Sequence, residues 1–114
     1  MKPYFETIKY RPLPKEVRLG FSKIHDIGVF AKEKIERGRD LGISHIQLGK
    51  ELYRTPLGGF INHSDDPNCT KSMFRVTNAN DISTKMDYKA WKLFTLDDIE
   101  PGEELTLTYT FYKI

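Results

Sequence analysis

The chain has 114 residues, which is enough for one domain with a single hydrophobic core. Hydrophobic residues make up 39% of it, which excludes disorder throughout, and the net charge of +2 is too balanced to predict nucleic-acid binding. No apolar run approaches the roughly 18 residues of a membrane span, and the first residues lack the apolar core of a signal peptide. We therefore expect an intracellular protein, cytoplasmic or in a host nucleus, that is not secreted and binds neither membranes nor nucleic acid directly.

The first part of the chain divides into an arm and the start of a folded domain. Residues 1–16 are polar and contain three prolines, a density that argues against a helix. We predict an extended arm over 1–16 and a folded domain over 17–114. Val17–Phe21 indicates a short strand and Ser22–Gly28 a turn, after which an extended apolar run resumes at Val29.

The middle of the chain predicts further short strands. Ile35–Gly38 indicates a tight turn and Leu41–Leu48 a strand. Gln47–Tyr53 is the best helical candidate, although it is short. Thr70–Val76 and Tyr88–Leu96 are rich in aromatic and β-branched residues, which favour strands.

The last segment has the clearest periodicity. A Pro-Gly pair at 101–102 predicts a turn, and every second residue after it is apolar. The apolar positions are Leu105, Leu107, Tyr109 and Phe111. A period of two predicts a strand that is buried on one side and carries threonines on the other. Many short strands separated by Gly and Pro turns predict a mainly β domain.

A polar turn follows directly behind an apolar pair at residues 60–69. Phe60 and Ile61 precede Asn62 and His63, and the chain then breaks at an Asp-Pro-Asn turn. This order places two polar side chains at the edge of a core, which suggests a binding site. The residues alone favour a turn-capping Asn62 and a buried structural His63 over a binding site. The three histidines and Cys69 have no recognisable ligand spacing, so we predict no metal site.

Two stretches together resemble the motifs of SET domains. Residues 60–69 resemble the asparagine-histidine-serine motif of that family, and residues 102–109 resemble its C-terminal motif, which ends in a functional tyrosine. Ser22–Ala31 is similar to the glycine-x-glycine cofactor loop, and Ile35–Leu41 to the turn that follows it. All four blocks occur in the family's order. The resemblance implies the SET (β-clip) fold, which consists of small curved sheets with a knot-like threading of the C-terminal segment.

The resemblance also implies a protein lysine N-methyltransferase that uses S-adenosyl-L-methionine and acts on a protein substrate. Such an enzyme must align the lysine amine, the methyl group and the sulfur. Tyr109 would be the catalytic residue, since a hydroxyl beside the methyl group can orient and stabilise it. Without the motif, the residues favour a core tyrosine with a satisfied hydroxyl at Tyr109. The implied cofactor contacts are Asp26, Ile27, Gly28, Asn62, His63 and Tyr112, and the implied substrate channel includes Leu107 and Phe111.

The sequence departs from the family at several positions. Asp26 stands where the cofactor loop usually has its first glycine, and Arg39 where the following turn usually carries a glutamate. The family often shares zinc between a cysteine at the position of Cys69 and a cysteine-rich segment, which we expect to be missing here. The arm, Tyr112 or a second subunit in a homodimer would then complete the channel. Two alternatives stay open: a SET-like binding module without catalysis, and a small β domain that binds carbohydrate or another ligand.

Overall fold

The computed structural model describes residues 12–77 and 87–109. That part of the chain contains eight strands and one short helix. The strands are β1 (Val17–Phe21), β2 (Ile27–Ala31), β3 (Asp40–Leu48), β4 (Glu51–Arg54), β5 (Asn62–His63), β6 (Cys69–Thr77), β7 (Asp87–Thr95) and β8 (Glu104–Leu107), and the helix α1 is Pro56–Phe60. The prediction of a mainly β domain is confirmed. Over the two described ranges, no helix is long and apolar enough to cross a membrane.

The strands form two four-stranded sheets. The first sheet has the order β1-β2-β8-β5 and the second has the order β4-β3-β7-β6. All pairs are antiparallel except β5 and β8, which run parallel, with Asn62 opposite Thr106 and His63 opposite Leu107. This pairing places the asparagine-histidine motif directly beside the strand that leads to Tyr109.

β8 differs from the strand predicted for this segment. It is a central strand, since β2 and β5 flank it. Leu105 and Leu107 are buried as expected, but Thr106 is only 8% exposed. The Thr106 backbone amide and hydroxyl both contact the Asn68 side chain, which covers that side of the strand. The prediction of burial on one side alone is therefore wrong.

The predicted helix over Gln47–Tyr53 is also wrong. This segment is the end of β3, a two-residue turn and the start of β4, with Gln47 opposite Leu52. Gly49 adopts a φ of +59° in the turn, a conformation that glycine adopts without strain. The helix lies later, at Pro56–Phe60, where the Thr55 side chain caps its first turn by accepting the Gly58 amide.

The hydrophobic core draws on both sheets and on α1. Its fully buried members are Val29, Ile35, Leu57, Ile61, Leu93, Ile99 and Leu105. The helix lies against β3 so closely that a Cβ added at Gly58 would be 2.1 Å from the Ser44 carbonyl oxygen. Burial of Leu57 and Ile61 therefore positions the chain just before β5, where the asparagine-histidine motif begins.

Residues 12–16 of the predicted arm contact the folded domain. Leu13 packs against the core, and the Glu16 carbonyl accepts the Lys32 amide at 2.7 Å. The nearly buried Glu16 carboxylate pairs with Arg39 at 2.7 Å. Residues 1–11 of the arm lie outside the described residues.

Candidate cofactor and active site

The turn between β1 and β2 closes on itself through Ser22. Its backbone amide donates to the Asp26 carbonyl at 2.8 Å, and its hydroxyl oxygen accepts the Ile24 and His25 amides at 2.9 and 3.3 Å. Asp26 has a φ of +34°, in the left-handed region that favours glycine, which accounts for the glycine that the family usually has there. The Asp26 side chain is 87% exposed and lies 3.2 Å from the His25 ring, so it extends into solvent.

The Asn62 side-chain amide ties this turn to β8. Its nitrogen lies 2.9 Å from Glu104 Oε2, 3.0 Å from Ser22 Oγ, 3.1 Å from the His25 carbonyl oxygen and 3.4 Å from that of Ile27. Two of these partners are carbonyls and one is a carboxylate, and all three only accept hydrogen bonds, so the nitrogen must face them. Asn62 therefore binds together the cofactor-loop segment and the C-terminal strand.

Glu104 is a site residue that reasoning from the sequence missed. Its two carboxylate oxygens each lie 2.8 Å from Ser22 Oγ, and Oε2 also accepts from Asn62. A Cβ added at Gly28 would lie 2.2 Å from Glu104 Oε2 and 3.0 Å from Asn62 Nδ2. Gly28 is thus required by the close approach of this network. No local pattern in the sequence identifies Glu104, because its partners Ser22 and Asn62 lie far from it along the chain.

His63 links the turn after β5 to Tyr109. Its Nδ1 accepts the Tyr109 backbone amide at 2.9 Å, so the ring proton resides on Nε2, which faces Asp65 Oδ1 at 2.9 Å. The His63 and Tyr109 ring centroids are 5.3 Å apart. The His63 ring is therefore held by Asp65, within its own motif, and by the backbone of Tyr109, in the C-terminal motif.

The Tyr109 hydroxyl donates to the Ile61 carbonyl oxygen, just before the asparagine-histidine pair. Two further hydrogen bonds hold the residues that lead to it. The Ser64 amide donates to the Leu107 carbonyl at 3.2 Å, and the Thr108 hydroxyl donates to the Ser64 carbonyl at 2.8 Å. Tyr109 itself is 36% exposed, so its ring is partly accessible at the edge of the core.

Leu107 is buried and lines a cavity of about 470 Å³. Cys69, Lys71, Met73, Trp91 and Thr108 form part of its walls. Burial lowers the pKa of the Lys71 amine. Phe111 and Tyr112, which were predicted for the substrate channel and the cofactor site, lie outside the described residues.

Cys69, the first residue of β6, has a buried free thiol. Burial raises its pKa to about 12, so it stays protonated near neutral pH. In the part of the chain that the structure describes, no three His, Cys, Asp or Glu side chains converge as a metal site would require.

Asn68 is a second residue whose role the sequence did not reveal. Its side-chain nitrogen donates to the Glu104 carbonyl at 2.9 Å, and its side-chain oxygen accepts the Thr106 amide at 2.8 Å. Its own carbonyl accepts the Leu96 amide at 2.8 Å. The Asn68 side chain thereby makes the hydrogen bonds to the Glu104 and Thr106 backbone that a neighbouring strand would make. Its position in the sequence suggested only a turn residue.

Comparison with known proteins agrees with this geometry. A histone-lysine N-methyltransferase from Aspergillus oryzae, specific for lysine 4 of histone H3, is 30% identical over 96% of this chain, which spans 10% of that relative's length. A Plasmodium falciparum protein solved as a candidate histone methyltransferase has a TM-score of 0.64 at 19% identity, over 86% of this chain and 96% of that one. Polycomb Repressive Complex 2 of Chaetomium thermophilum, bound to S-adenosylmethionine, has a TM-score of 0.64 at 21% identity, over 85% of this chain and 15% of that one.

The two structural likenesses establish the fold. The family assignment comes from the sequence, because the model of the SET domain matches residues 45–110, which is more than half of the chain. The matched residues include the asparagine-histidine motif, Glu104 and Tyr109. This chain belongs to the SET domain family.

Proposed function

We propose that this chain transfers a methyl group from S-adenosylmethionine to a lysine side chain of a protein substrate. The observation that carries the proposal is the convergence of three separate segments. The loop at Gly28, the Asn62–His63 strand and the end of β8 at Tyr109 are joined by direct hydrogen bonds. Membership of the SET domain family and the methyltransferase relative support the same activity.

The residues of this site fit the proposed cofactor. Asn62, His63 and the loop from Asp26 to Gly28 would hold it, since they present a side-chain amide and backbone groups. The Asp26 side chain lies in solvent and so does not fill the loop. When bound, the cofactor supplies an electrophilic methyl group on a positively charged sulfur. The contact predicted for Tyr112 stays a prediction.

Tyr109 is suited to act as an acceptor towards that methyl group. Its single hydroxyl proton is donated to the Ile61 carbonyl, which orients the phenol. The oxygen then presents lone pairs, and lone pairs aimed at a positively polarised methyl group stabilise the transition state. The tilted His63 ring limits the rotation of the tyrosine. Tyr109 is accordingly the proposed catalytic residue.

The target lysine must lose its proton before it can attack. Burial disfavours the charged form of an amine, so apolar walls promote that loss without a strong base. The lining of the cavity beside Leu107 includes Trp91 and the half-exposed Met73, and burial lowers the pKa of Lys71 there. We assign this cavity to the substrate channel. The contribution of Phe111 stays a prediction.

The proposal is tested in two steps with the purified chain. Calorimetry with S-adenosylmethionine and with S-adenosylhomocysteine measures cofactor binding. Incubation of the chain with methyl-labelled cofactor and a cell lysate, followed by mass spectrometry, then identifies methylated lysines. Binding together with lysine methylation supports the proposal, and failure to bind either compound contradicts it. Binding without transfer to any protein would favour the alternative of a SET-like binding module.

A further inference from the structure

Two cationic side chains lie directly opposite each other on one face of the second sheet. Arg75 in β6 pairs with Lys89 in β7, and residues opposite each other in an antiparallel ladder share a face. Lys71 is on that face too, because it lies four residues from Arg75 in the same strand and side chains alternate along a strand. Like charges directly opposite each other are destabilising. An anion bound between them would offset that repulsion.

A fourth cation reaches the same face from β4. One row of pairs crosses the sheet from Met73 to Trp91, then to His45 and to Arg54. Burial lowers the pKa of His45, and the positive charges of Lys71 and Arg54 lower it further, so both charges lie near the same ring. None of the described side chains at these paired positions is acidic. We call the four cations together the cationic face; its members are Arg54, Lys71, Arg75 and Lys89.

The cationic face continues into the cavity beside Leu107. Lys71 and Trp91 line that cavity, which is the proposed substrate channel. Arg75 and Lys89 line a second, smaller cavity of about 180 Å³ further along the ladder. Lys71 and Arg75 are about 13 Å apart along β6, a distance that about four residues of an extended peptide span. A peptide with its lysine in the first cavity would therefore reach the second with a residue about four positions away.

The charge of this face bears on which lysines can approach the channel. A target lysine is itself a cation until it loses its proton, so positive charges beside the channel repel it. Carboxylates on the same peptide would offset that repulsion through ion pairs with the cationic face, whereas a basic peptide would increase it. A nucleic acid would also match the charge. An acidic peptide fits better, because the face adjoins a cavity assigned to a lysine side chain and the net charge of the chain is only +2.

We propose that the cationic face selects protein substrates in which acidic residues flank the target lysine. The carboxylates would lie about four residues from that lysine and contact Arg75 and Lys89. The backbone groups between β6 and β7 are paired with each other, so these contacts come from side chains. The inference rests on the proposed function, because the channel beside the face receives the target lysine.

A series of peptides tests the substrate class. Each consists of alanine and glycine around one central lysine, with glutamate, glutamine or arginine at the third and fourth positions on both sides. Mass spectrometry of the methylated lysine gives kcat/KM for each peptide. We expect kcat/KM to be about tenfold higher for the glutamate peptide than for the glutamine peptide, as about two or three exposed ion pairs would give, and lowest for the arginine peptide. Equal values for all three peptides, or a preference for arginine, would overturn the inference.

Charge reversal of the face provides the second test. The double variant with Arg75→Glu and Lys89→Glu should lose the preference for the glutamate peptide and methylate the arginine peptide about tenfold faster than wild type does. Its affinity for S-adenosylhomocysteine, measured by calorimetry, should stay within about twofold. Lys34→Glu is the matched control, since it reverses an exposed charge between β2 and β3, outside the cationic face, and should keep the wild-type order of peptides.

An equal loss for all three peptides in the double variant would mean a structural role and would overturn the inference, as would an unchanged preference. Arg75→Gln, a milder change at an exposed position, replaces the double variant if that does not fold. It should lower the ratio of kcat/KM between the glutamate and glutamine peptides about threefold. An unchanged ratio would contradict the proposed contact.

Two further outcomes separate this inference from the proposed function. If wild type methylates no peptide and no lysate protein, the proposed function fails and the inference fails with it. If it methylates lysate proteins alone, acidic residues within about four positions of the methylated lysines support the inference, and their absence overturns it.

Fluorescence anisotropy with a labelled DNA duplex tests the alternative ligand. Binding that the double variant loses, in a protein with no preference among the peptides, would assign the cationic face to nucleic acid and overturn the inference.

Discussion

The two sheets of this domain are held together in different ways. In the second sheet, β6 and β7 pair continuously over nine residues, from Cys69 opposite Thr95 to Thr77 opposite Asp87. In the first sheet, β5 pairs with β8 over only two residues. There the side chains of Asn62, Asn68 and Glu104 supply hydrogen bonds that backbone ladders supply elsewhere.

This difference shows where function can be placed in a small β domain. A long ladder satisfies its backbone groups internally and leaves little to bind a ligand. The short pairing between β5 and β8 leaves polar side chains and backbone groups at the same place, and a site can form from them. The cost is that the geometry there depends on a few individual residues.

The largest effect that we expect concerns the catalytic end of the first sheet. Tyr109→Phe removes the hydroxyl whose proton goes to the Ile61 carbonyl. Methyl transfer should fall about 1,000-fold, the size of effect typical of an oriented transition-state contact, while the affinity for S-adenosylhomocysteine stays within about twofold. Single-turnover transfer of labelled methyl groups measures the first quantity and calorimetry the second.

Tyr53→Phe is the control, because it removes an exposed hydroxyl from β4 of the second sheet and should leave the transfer rate unchanged. Transfer by Tyr109→Phe at the wild-type rate would contradict the assignment of Tyr109.

The next largest effect should be a loss of stability on substitution of Gly58 in α1, which packs against β3. Gly58→Ala places a methyl group 2.1 Å from the Ser44 backbone carbonyl of β3, so α1 must move. We expect a loss of about 3 kcal/mol in the free energy of unfolding, measured by urea denaturation. Gly59→Ala is the matched control, since its methyl group meets no atom closer than 4.0 Å. Similar stabilities for the two variants would show that the helix position is not constrained.

Asn68→Ala tests whether the Asn68 side chain stabilises β8 through its hydrogen bonds to the backbone of that strand. The change removes the acceptor of the Thr106 amide and the donor to the Glu104 carbonyl. Two lost hydrogen bonds should lower the free energy of unfolding by about 2 to 3 kcal/mol. Hydrogen exchange of the Thr106 amide should also become faster relative to the β6–β7 ladder. Asp66→Ala, an exposed change in the same turn, should have an effect below about 0.5 kcal/mol.

If the Thr106 amide exchanged at the same rate in wild type and in Asn68→Ala, its protection would come from β5 rather than from Asn68.

The second sheet should respond to pH through His45. Burial, together with the Lys71 and Arg54 charges, lowers its pKa to about 4, from 6.5 in the unfolded chain. The neutral form is favoured in the folded state, so this contribution to stability is complete above pH 6.5 and is lost as the pH falls towards 4. Between pH 7 and pH 5 the free energy of unfolding should fall by about 2 kcal/mol.

Chemical denaturation at a series of pH values measures this slope. His45→Leu should flatten it, whereas His25→Gln, a change of an exposed ring on the first sheet, should not. An unchanged slope in His45→Leu would assign the pH dependence to other groups.

The same contrast explains what could be predicted from the sequence. Thr70–Val76 and Tyr88–Leu96 were predicted as strands from composition, and the structure has Cys69–Thr77 and Asp87–Thr95. Their local preferences agree with their long-range pairing, so a local pattern was sufficient. The helix was misplaced to Gln47–Tyr53 because a segment of that length is consistent with both a helix and a hairpin.

There is a physical reason why only part of the site could be predicted. The motifs indicated Asn62 and Tyr109, and the structure brings their segments together. Asn68 and Glu104 carry signals that suit a turn and a solvent-exposed strand end. Their roles arise from contacts across 36 to 82 residues of sequence, which no local pattern encodes.

The central position of β8 has a consequence for how the domain folds. β8 lies between β2 and β5, yet more than 70 residues separate it from β2 along the chain. Contacts at such separations form slowly, because a large loop must close before they contribute. The second sheet, with its adjacent β3–β4 hairpin, can form earlier. We therefore expect stopped-flow refolding to show the second sheet protected first, with cofactor binding regained only in the slowest phase.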